Sequence, residues 1–304
     1  MTAVSAPIHD TERWWGPVLV LAGGACIGFA PIGFRFGIGL GEDGLGPQAI
    51  AFWRFLFATP ILLALVLLVK RRTPARPNRF VVLAGTFFAL YIGLWHLALT
   101  MTTVANATFI VNLGNIGVGL LAWIFLRDRL SLIWILAVMV ALVGAAMLSL
   151  GGASEAAGGI RGDLLAFSAA ILVSGYVLCS KIARRNLGAL DVIFWLTVTE
   201  VFVAGFVTAM SGERFLPATP AGLYAPLLLA VIVQCAGQGL IIAGLGHTPA
   251  AIAGVSIVVQ PVVSAAISWH LFDEVLTVVQ IAGSALILIG VGLAQIRRSA
   301  KKMS

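Results

Sequence analysis

The sequence predicts an all-α membrane protein with ten transmembrane helices, arranged as two inverted repeats of five helices each. Three observations support this fold class: an extreme apolar composition, ten apolar runs of membrane-spanning length, and an internal repeat. The chain has 304 residues, of which 60% are hydrophobic and only 10% are charged. This is more apolar surface than a single soluble core can bury, so a lipid environment is expected.

Ten apolar runs have the length that a bilayer requires. A hydrocarbon core about 30 Å thick is crossed by about 20 predominantly apolar residues in an α-helix. The runs cover residues 15–39, 48–69, 80–99, 105–126, 132–150, 164–182, 190–210, 223–245, 250–272 and 278–296. Backbone polar groups in lipid must be satisfied within their own segment, which favours helices for all of these runs.

The second half of the chain repeats the first. Residues 91–131 align without a gap with residues 237–277, and the same offset extends in both directions. Identical residues meet at Gly16 and Gly162, Gly93 and Gly239, Thr102 and Thr248, Trp123 and Trp269, and Gly144 and Gly290. We therefore expect five-helix units at 15–150 and 164–296, a periplasmic linker at 151–163, and cytoplasmic tails at 1–14 and 297–304.

Basic residues indicate the orientation, because cytoplasmic loops retain Lys and Arg. Fifteen of the basic residues fall on one side of the predicted topology: Arg13, Lys70, Arg71, Arg72, Arg76, Arg79, Arg127, Arg129, Lys181, Arg184, Arg185, Arg297, Arg298, Lys301 and Lys302. Both termini are therefore predicted to be cytoplasmic in a bacterial inner membrane. Five spans per repeat is an odd number, so the second copy enters the membrane from the opposite side, as in many secondary transporters.

Polar side chains inside the runs are the candidate site. Three sets of amides lie near mid-span: Asn112 with Asn115, Gln234 with Gln238, and Gln260 directly before a proline. Such residues either join helices or line a path for a polar ligand. Neutral amides suit a zwitterionic or neutral polar ligand better than a bare ion.

Mid-span aromatic residues extend the predicted cavity. Tyr91, Trp95 and Tyr176 are placed to form apolar walls that bind a ring while the amides orient a polar end; filling of the helix core is the competing interpretation. Trp14, Trp15, Trp134 and Tyr224 instead fit the aromatic belt at the membrane surfaces. The predicted ligand is a small molecule, and a monomer suffices because one chain holds both halves.

Three ionisable residues need separate consideration. Glu200 lies near the middle of the seventh run, where burial favours the neutral carboxyl group, and it either carries a proton or bonds a neighbouring helix. His96 is a candidate pH-sensitive gate, with a surface-facing hydrogen bond as the alternative. Arg54 lies early in the second run and is expected to be anchored near the outer carbonyls or headgroups. Proton coupling, exchange and facilitated diffusion all remain open.

Two prolines are candidate hinges. Pro31 is flanked by glycines, and Pro261 follows Gln260, so each lies where a helix can bend at low cost. No cofactor, metal site or nucleic-acid partner is expected. Cys26, Cys179 and Cys235 lie singly in apolar runs and are interpreted as packing residues, and the basic residues form no continuous face.

Several segments resemble the EamA branch of the drug/metabolite transporter superfamily. They are residues 52–58 (Phe-Trp-Arg-Phe-Leu-Phe-Ala), residues 126–131 (Leu-Arg-Asp-Arg-Leu-Ser) and residues 272–277 (Phe-Asp-Glu-Val-Leu-Thr), within ten runs in two repeats. The resemblance implies an exporter of small metabolites, with amino acids, including aromatic ones, as the expected substrates. The proline usual in the fourth span of this family is replaced by Asn115.

Other functions fit the sequence less well. Other lipophilic metabolites or drugs are the alternative substrates. An intramembrane enzyme would need an assembled catalytic set, yet the chain contains neither His-Glu-x-x-His nor Gly-x-Ser-x-Gly. A channel would need rings of charge or carbonyl groups. We therefore predict a transporter rather than an enzyme.

Overall fold

A computed structural model describes residues 12–41, 44–99, 101–102, 104–127, 131–150, 160–272 and 276–300. All regular structure in these ranges is helical. The predicted tails lie largely outside them, as do residues 151–159 of the predicted linker and the centres of the charged turns at 128–130 and 273–275.

Helices cover every apolar run predicted above. The helices are α1 (Glu12–Ile27), α2 (Ala30–Ile38), α3 (Pro47–Lys70), α4 (Arg79–Leu99), α5 (Val104–Leu126), α6 (Leu132–Leu150), α7 (Ile160–Ala183), α8 (Ala189–Ser211), α9 (Tyr224–Leu228), α10 (Gly239–Leu245), α11 (Ala250–Ile257), α12 (Gln260–Phe272) and α13 (Val278–Ala300). A short 3-10 helix at Pro220–Leu223 precedes α9, and a π-helical segment at Leu229–Gln238 joins α9 to α10.

Within the described ranges, seven helical stretches are long and apolar enough to cross a membrane. Three further apolar stretches are shorter, at Ile110–Leu126, Leu132–Leu148 and Val278–Ala294. Large apolar side chains face outward on many helices; Leu68 and Phe202 are each 75% exposed. An apolar exterior of this kind is suited to lipid rather than to water.

The two predicted hinge prolines each follow a break in a helix. The ring of Pro31 would clash with the carbonyl group of Ile27, and the ring of Pro261 with that of Ile257, because proline conflicts with the residue four positions before it. The helices α1 and α11 end at these two residues, and α2 and α12 begin after two intervening residues. Whether the chain bends at these positions during function stays a prediction.

The helix packing has an internal two-fold pattern. In the described part of the chain, α4 packs on α7. The counterpart of α4 in the second half is the π-helical segment with α10, and the counterpart of α7 in the first half is α1. These two counterparts also pack on each other. Three pairs of counterparts pack on each other: α3 with α8, α5 with α11, and α6 with α13. Exchanging the two halves therefore preserves the contacts, as an internal two-fold axis requires.

Glycine contacts fix the register of this repeat. A Cβ atom added to Gly16 would meet Thr248, and one added to Gly162 would meet Thr102. Gly16 and Gly162 are one identical pair of the sequence alignment, and Thr102 and Thr248 are another. Each glycine contacts the threonine from the other half of the chain. Since only glycine leaves room for such close helix crossings, the alignment offset corresponds to a real packing relation.

One aromatic prediction is wrong. Trp134 does not face outward as a belt residue does, because its side chain is only 8% exposed and its indole Nε1 donates to the backbone carbonyl of Ala251 at 3.1 Å. Trp15 and Tyr224, by contrast, are 64% and 66% exposed. A buried indole needs an acceptor for its N–H group, and the interface of α6 with α11 supplies one.

Candidate transport cavity

A small central cavity lies where helices of both halves meet. Its volume is about 30 Å³, room for about one water molecule. Its walls are formed by Ile27, Ala30, Arg54, Phe88, Tyr91, Ile92, Trp95, Asn115, Val173, Tyr176, Gln238, Ile241, Ile257 and Gln260. Six of the eight cavity residues predicted from the sequence are in this wall: Tyr91, Trp95, Asn115, Tyr176, Gln238 and Gln260.

The polar part of the wall is a set of paired side chains. The Tyr176 hydroxyl donates to Oε1 of Gln238 at 2.6 Å, which links α7 to the end of the π-helical segment. Asn115 donates from Nδ2 to Oδ1 of Asn112 at 3.2 Å. Asn112 is buried behind the wall and is not part of it. Its amide orients Asn115, which leaves the cavity with a fixed polar face.

Aromatic rings supply the apolar part of the cavity wall. The ring of Phe88 lies 4.8 Å from that of Tyr176 and 5.4 Å from that of Tyr91, both edge to face. Trp95 adds its ring further along α4, 6.4 Å from Phe34. Phe88 was not predicted from the sequence; its spacing of three residues before Tyr91 on one helix face was the available signal.

Arg54 is the largest departure from the sequence prediction. It does not reach the headgroup region, because it is 5% exposed and forms part of the cavity wall. Its guanidinium lies 5.2 Å from the ring centre of Phe55 and 5.9 Å from that of Phe88. The cavity wall therefore contains a buried guanidinium group as well as the neutral amides that were predicted from the sequence.

Gln234 and Glu200 form a second layer behind Arg54. Oε1 of Gln234 accepts from Nη2 of Arg54 at 2.9 Å, while its Nε2 donates to Oε2 of Glu200 at 2.6 Å and to Oγ1 of Thr197 at 2.8 Å. Glu200 and Gln234 are fully buried, and neither is part of the cavity wall. Glu200 thus bonds a neighbouring helix; a proton-carrying role stays a prediction.

His96 is more enclosed than the alternative of a surface-facing hydrogen bond allows. Its side chain is 4% exposed and stacks on Phe34, with ring centres 4.4 Å apart. It is absent from the cavity wall, although its neighbour Trp95 is present. The structure places His96 at the contact between α2 and α4. A gating role for this side chain stays a prediction.

Polar contacts join α3 to α8 at both ends of the bundle. At one end the Asp191 carboxylate is fully buried and accepts from Lys70 and from Arg72, at 2.5 Å and 2.9 Å. At the other end, Oε2 of Glu213 accepts from the backbone N–H groups of Gln48 and Ala49, at 2.9 Å and 3.0 Å, and so caps the first turn of α3.

The repeat also places a tryptophan at each of these ends. Trp53 donates from its indole to the carbonyl group of Phe215, and Trp195 donates to that of Ala75. These two tryptophans are counterparts in the repeat, because a short gap in the alignment brings Phe52-Trp53 opposite Phe194-Trp195, and each bonds a loop of the opposite half. The contacts fasten α3 and α8 to each other's connecting loops. Among the described residues, no group of three His, Cys, Asp or Glu side chains could hold a metal ion.

Two related halves of apolar helices around a polar and aromatic cavity define a multi-pass membrane protein. The chain belongs to the EamA-like transporter family, whose sequence profile matches residues 14–150 and again residues 160–295. The double match agrees with the internal repeat, and it places the protein among membrane transporters.

Two known proteins resemble this chain over most of its length. The "Uncharacterized transporter YetK" of Bacillus subtilis (strain 168) is 23% identical over 255 residues, which cover 81% of this chain and 77% of that protein. A solved structure described as "Crystal structure of protein" superposes with a TM-score of 0.78 at 15% identity, over 92% of this chain and 97% of the other. At this identity the second likeness concerns the fold alone.

Proposed function

We propose that this protein is a secondary transporter with ten spans that exports amino acids, aromatic ones among them, from the cytoplasm of a bacterial cell. The transport path runs through the central cavity, and access alternates between the two membrane faces. The observation that carries this proposal is the composition of the cavity wall, which contains amides and a buried guanidinium group together with aromatic rings. A ring and a charged head group of one small molecule match these two parts.

The size of the cavity supports a cycle with a conformational change. A volume of about 30 Å³ is far below the roughly 300 Å³ or more of ligand pockets. An amino acid therefore enters only if the surrounding helices separate. The helix breaks before Pro31 and Pro261 lie next to wall residues Ala30 and Gln260, so rotation at these breaks enlarges the cavity directly.

The inverted repeat supports alternating access in a second way. Two halves that pack with an internal two-fold axis have two equivalent arrangements, each opening one mouth and closing the other. In this scheme both termini are cytoplasmic and the linker at 151–163 is periplasmic. Cysteines introduced singly at exposed loop positions and labelled from one side of intact cells test this topology, and labelling of the two chain ends from opposite sides contradicts it.

Transport itself is tested with purified protein in liposomes. Vesicles preloaded with an unlabelled aromatic amino acid should accumulate the labelled form by counterflow, and protein-free vesicles should not. Parallel reactions with labelled aliphatic amino acids and with lipophilic cations distinguish amino-acid export from export of other lipophilic compounds. Failure of every amino acid, with transport of a lipophilic cation, contradicts the proposed substrate class.

Variants connect the transport to this cavity. Tyr91→Ala and Gln238→Ala remove one ring and one amide from the wall, so we expect counterflow to fall by about tenfold or more, since about 1.4 kcal/mol corresponds to tenfold. Leu288→Ala is the control, because this side chain is 51% exposed on α13 and lies outside the wall. Normal counterflow in both wall variants excludes this cavity as the path.

A further inference from the structure

Two ionisable side chains of opposite sign are buried together inside the helix bundle without touching. Arg54 is 5% exposed and Glu200 is fully buried, yet they form no direct ion pair; the Gln234 amide lies between them. A charge inside a membrane protein is costly and is expected to have a partner or a function. The amide satisfies one hydrogen-bond donor of Arg54 and one oxygen of Glu200.

The hydrogen bonding of this pair is incomplete. Within the described part of the chain, Nε of Arg54 and Oε1 of Glu200 are buried and have no hydrogen-bond partner. A buried guanidinium N–H group without an acceptor destabilises the empty site. The free-energy cost of such an unsatisfied donor is larger for a charged group than for a neutral one. A purely structural pair would be expected to close directly, because that arrangement satisfies both groups.

The two charges differ in their access to the cavity. Arg54 is part of the wall, whereas Glu200 lies behind Gln234 and is not. A molecule in the cavity therefore meets the positive charge first. Guanidinium groups bind carboxylates through two parallel hydrogen bonds, which fit the planar fork of the side chain.

We propose that Arg54 is the binding group for the carboxylate of the transported molecule, with Glu200 as its counter-charge in the empty cavity. This assignment rests on the proposed function, and it specifies which part of the substrate the site recognises. The substrate class is a small molecule with a carboxylate next to an apolar group, since the rings of Phe88, Tyr91 and Tyr176 line the same cavity as Arg54 and the Phe88 ring centre lies 5.9 Å from the guanidinium. The Gln238 and Asn115 amides are left for the remaining polar group.

The test uses wild-type protein in liposomes and three competitors of labelled phenylalanine counterflow. Unlabelled phenylalanine has both charges, phenylalaninamide lacks the carboxylate, and N-acetylphenylalanine keeps the carboxylate but lacks the ammonium group. We expect N-acetylphenylalanine to compete at a concentration similar to that of phenylalanine. Phenylalaninamide should need at least about a 30-fold higher concentration, since the lost contact is a buried charge-assisted pair. Equal competition by the amide overturns the assignment.

Two substitutions separate charge from packing. In Arg54→Lys, which keeps the charge but loses the fork, transport should persist with weaker carboxylate preference, and in Arg54→Gln the preference should disappear. Glu200→Gln keeps an acceptor for Gln234 and removes the group that competes with the substrate carboxylate for Arg54, so the apparent affinity for phenylalanine should rise. A fall of that affinity in Glu200→Gln, similar to that in Arg54→Gln, contradicts the counter-charge assignment.

The outcomes distinguish this inference from the proposed function. If wild-type protein transports neither phenylalanine nor any other amino acid, the proposed function fails and the Arg54 assignment fails with it. If it transports phenylalanine without distinguishing the amide, only the Arg54 assignment fails. Elution of each variant as a single species in detergent verifies that it is folded before transport is compared.

Discussion

The close crossing of α6 and α13 gives the sharpest prediction about the fold. A Cβ atom added to Gly144 would lie 2.6 Å from the carbonyl oxygen of Gly283, and one added to Gly290 would lie 2.7 Å from that of Ala137. Ordinary contacts of a Cβ atom begin at 3.4 Å, so the helices must separate locally by 0.8 Å or 0.7 Å in the two alanine variants. The opposing atoms are backbone and cannot rotate away.

The expected loss of stability follows from this separation. A gap of about 0.5–1 Å removes about a quarter to a half of the dispersion energy between the facing atoms, and overpacking of this kind destabilises by about 1–3 kcal/mol. Replacing glycine by alanine inside a helix stabilises the helix by about 1 kcal/mol. A control Gly→Ala substitution on the same helix has the same gain, so this contribution cancels in the comparison. The difference from the control is therefore about 2 kcal/mol, or about 4–8 °C in the unfolding midpoint.

Gly292→Ala is the matched control. It lies two residues after Gly290 on α13, and an added Cβ atom there meets nothing within 4 Å. Thermal unfolding of detergent-solubilised protein, followed by the loss of the monodisperse elution peak, measures the difference. Transport per folded molecule should be unchanged in all three variants, because α6 and α13 contribute no residue to the cavity wall.

Two results would refute this reasoning. Equal unfolding midpoints of Gly290→Ala and Gly292→Ala would mean that the helices are not in backbone contact at Gly290. A large effect in only one of Gly144→Ala and Gly290→Ala would contradict the internal two-fold packing, since the two glycines are counterparts with the same surroundings.

Three further predictions concern single buried or capping polar side chains. Tyr176→Phe should lower counterflow about tenfold, because Oε1 of Gln238 loses its 2.6 Å donor at a buried site; unchanged counterflow would show that this bond does not order the wall. Asp191→Asn should lower the unfolding midpoint in detergent by several degrees, because it removes a buried carboxylate between Lys70 and Arg72; this effect should diminish in high salt. Glu213→Gln should destabilise by only about 1 kcal/mol or less in the same assay, because the side chain still accepts from the first turn of α3 without its charge.

The sequence by itself determined the membrane environment, the positions of the apolar runs and the repeat register. Each depends on properties that are summed or compared along the chain: hydropathy over about 20 residues, and identity at a constant offset. Gly16 and Gly162 then pack on Thr248 and Thr102 as the alignment implies.

Only the tertiary structure decided which side chains meet. Arg54 contacts Gln234 across 180 residues of sequence, and Trp134 bonds Ala251 across 117. Hydropathy assigns an arginine near a helix end to the headgroups, yet it contains no information on which helix faces that arginine. The π-helical segment that presents Gln234 and Gln238 has no local sequence signal either. Burial of a polar group becomes favourable only when a distant helix supplies its partner, so the site follows from the packing of both halves.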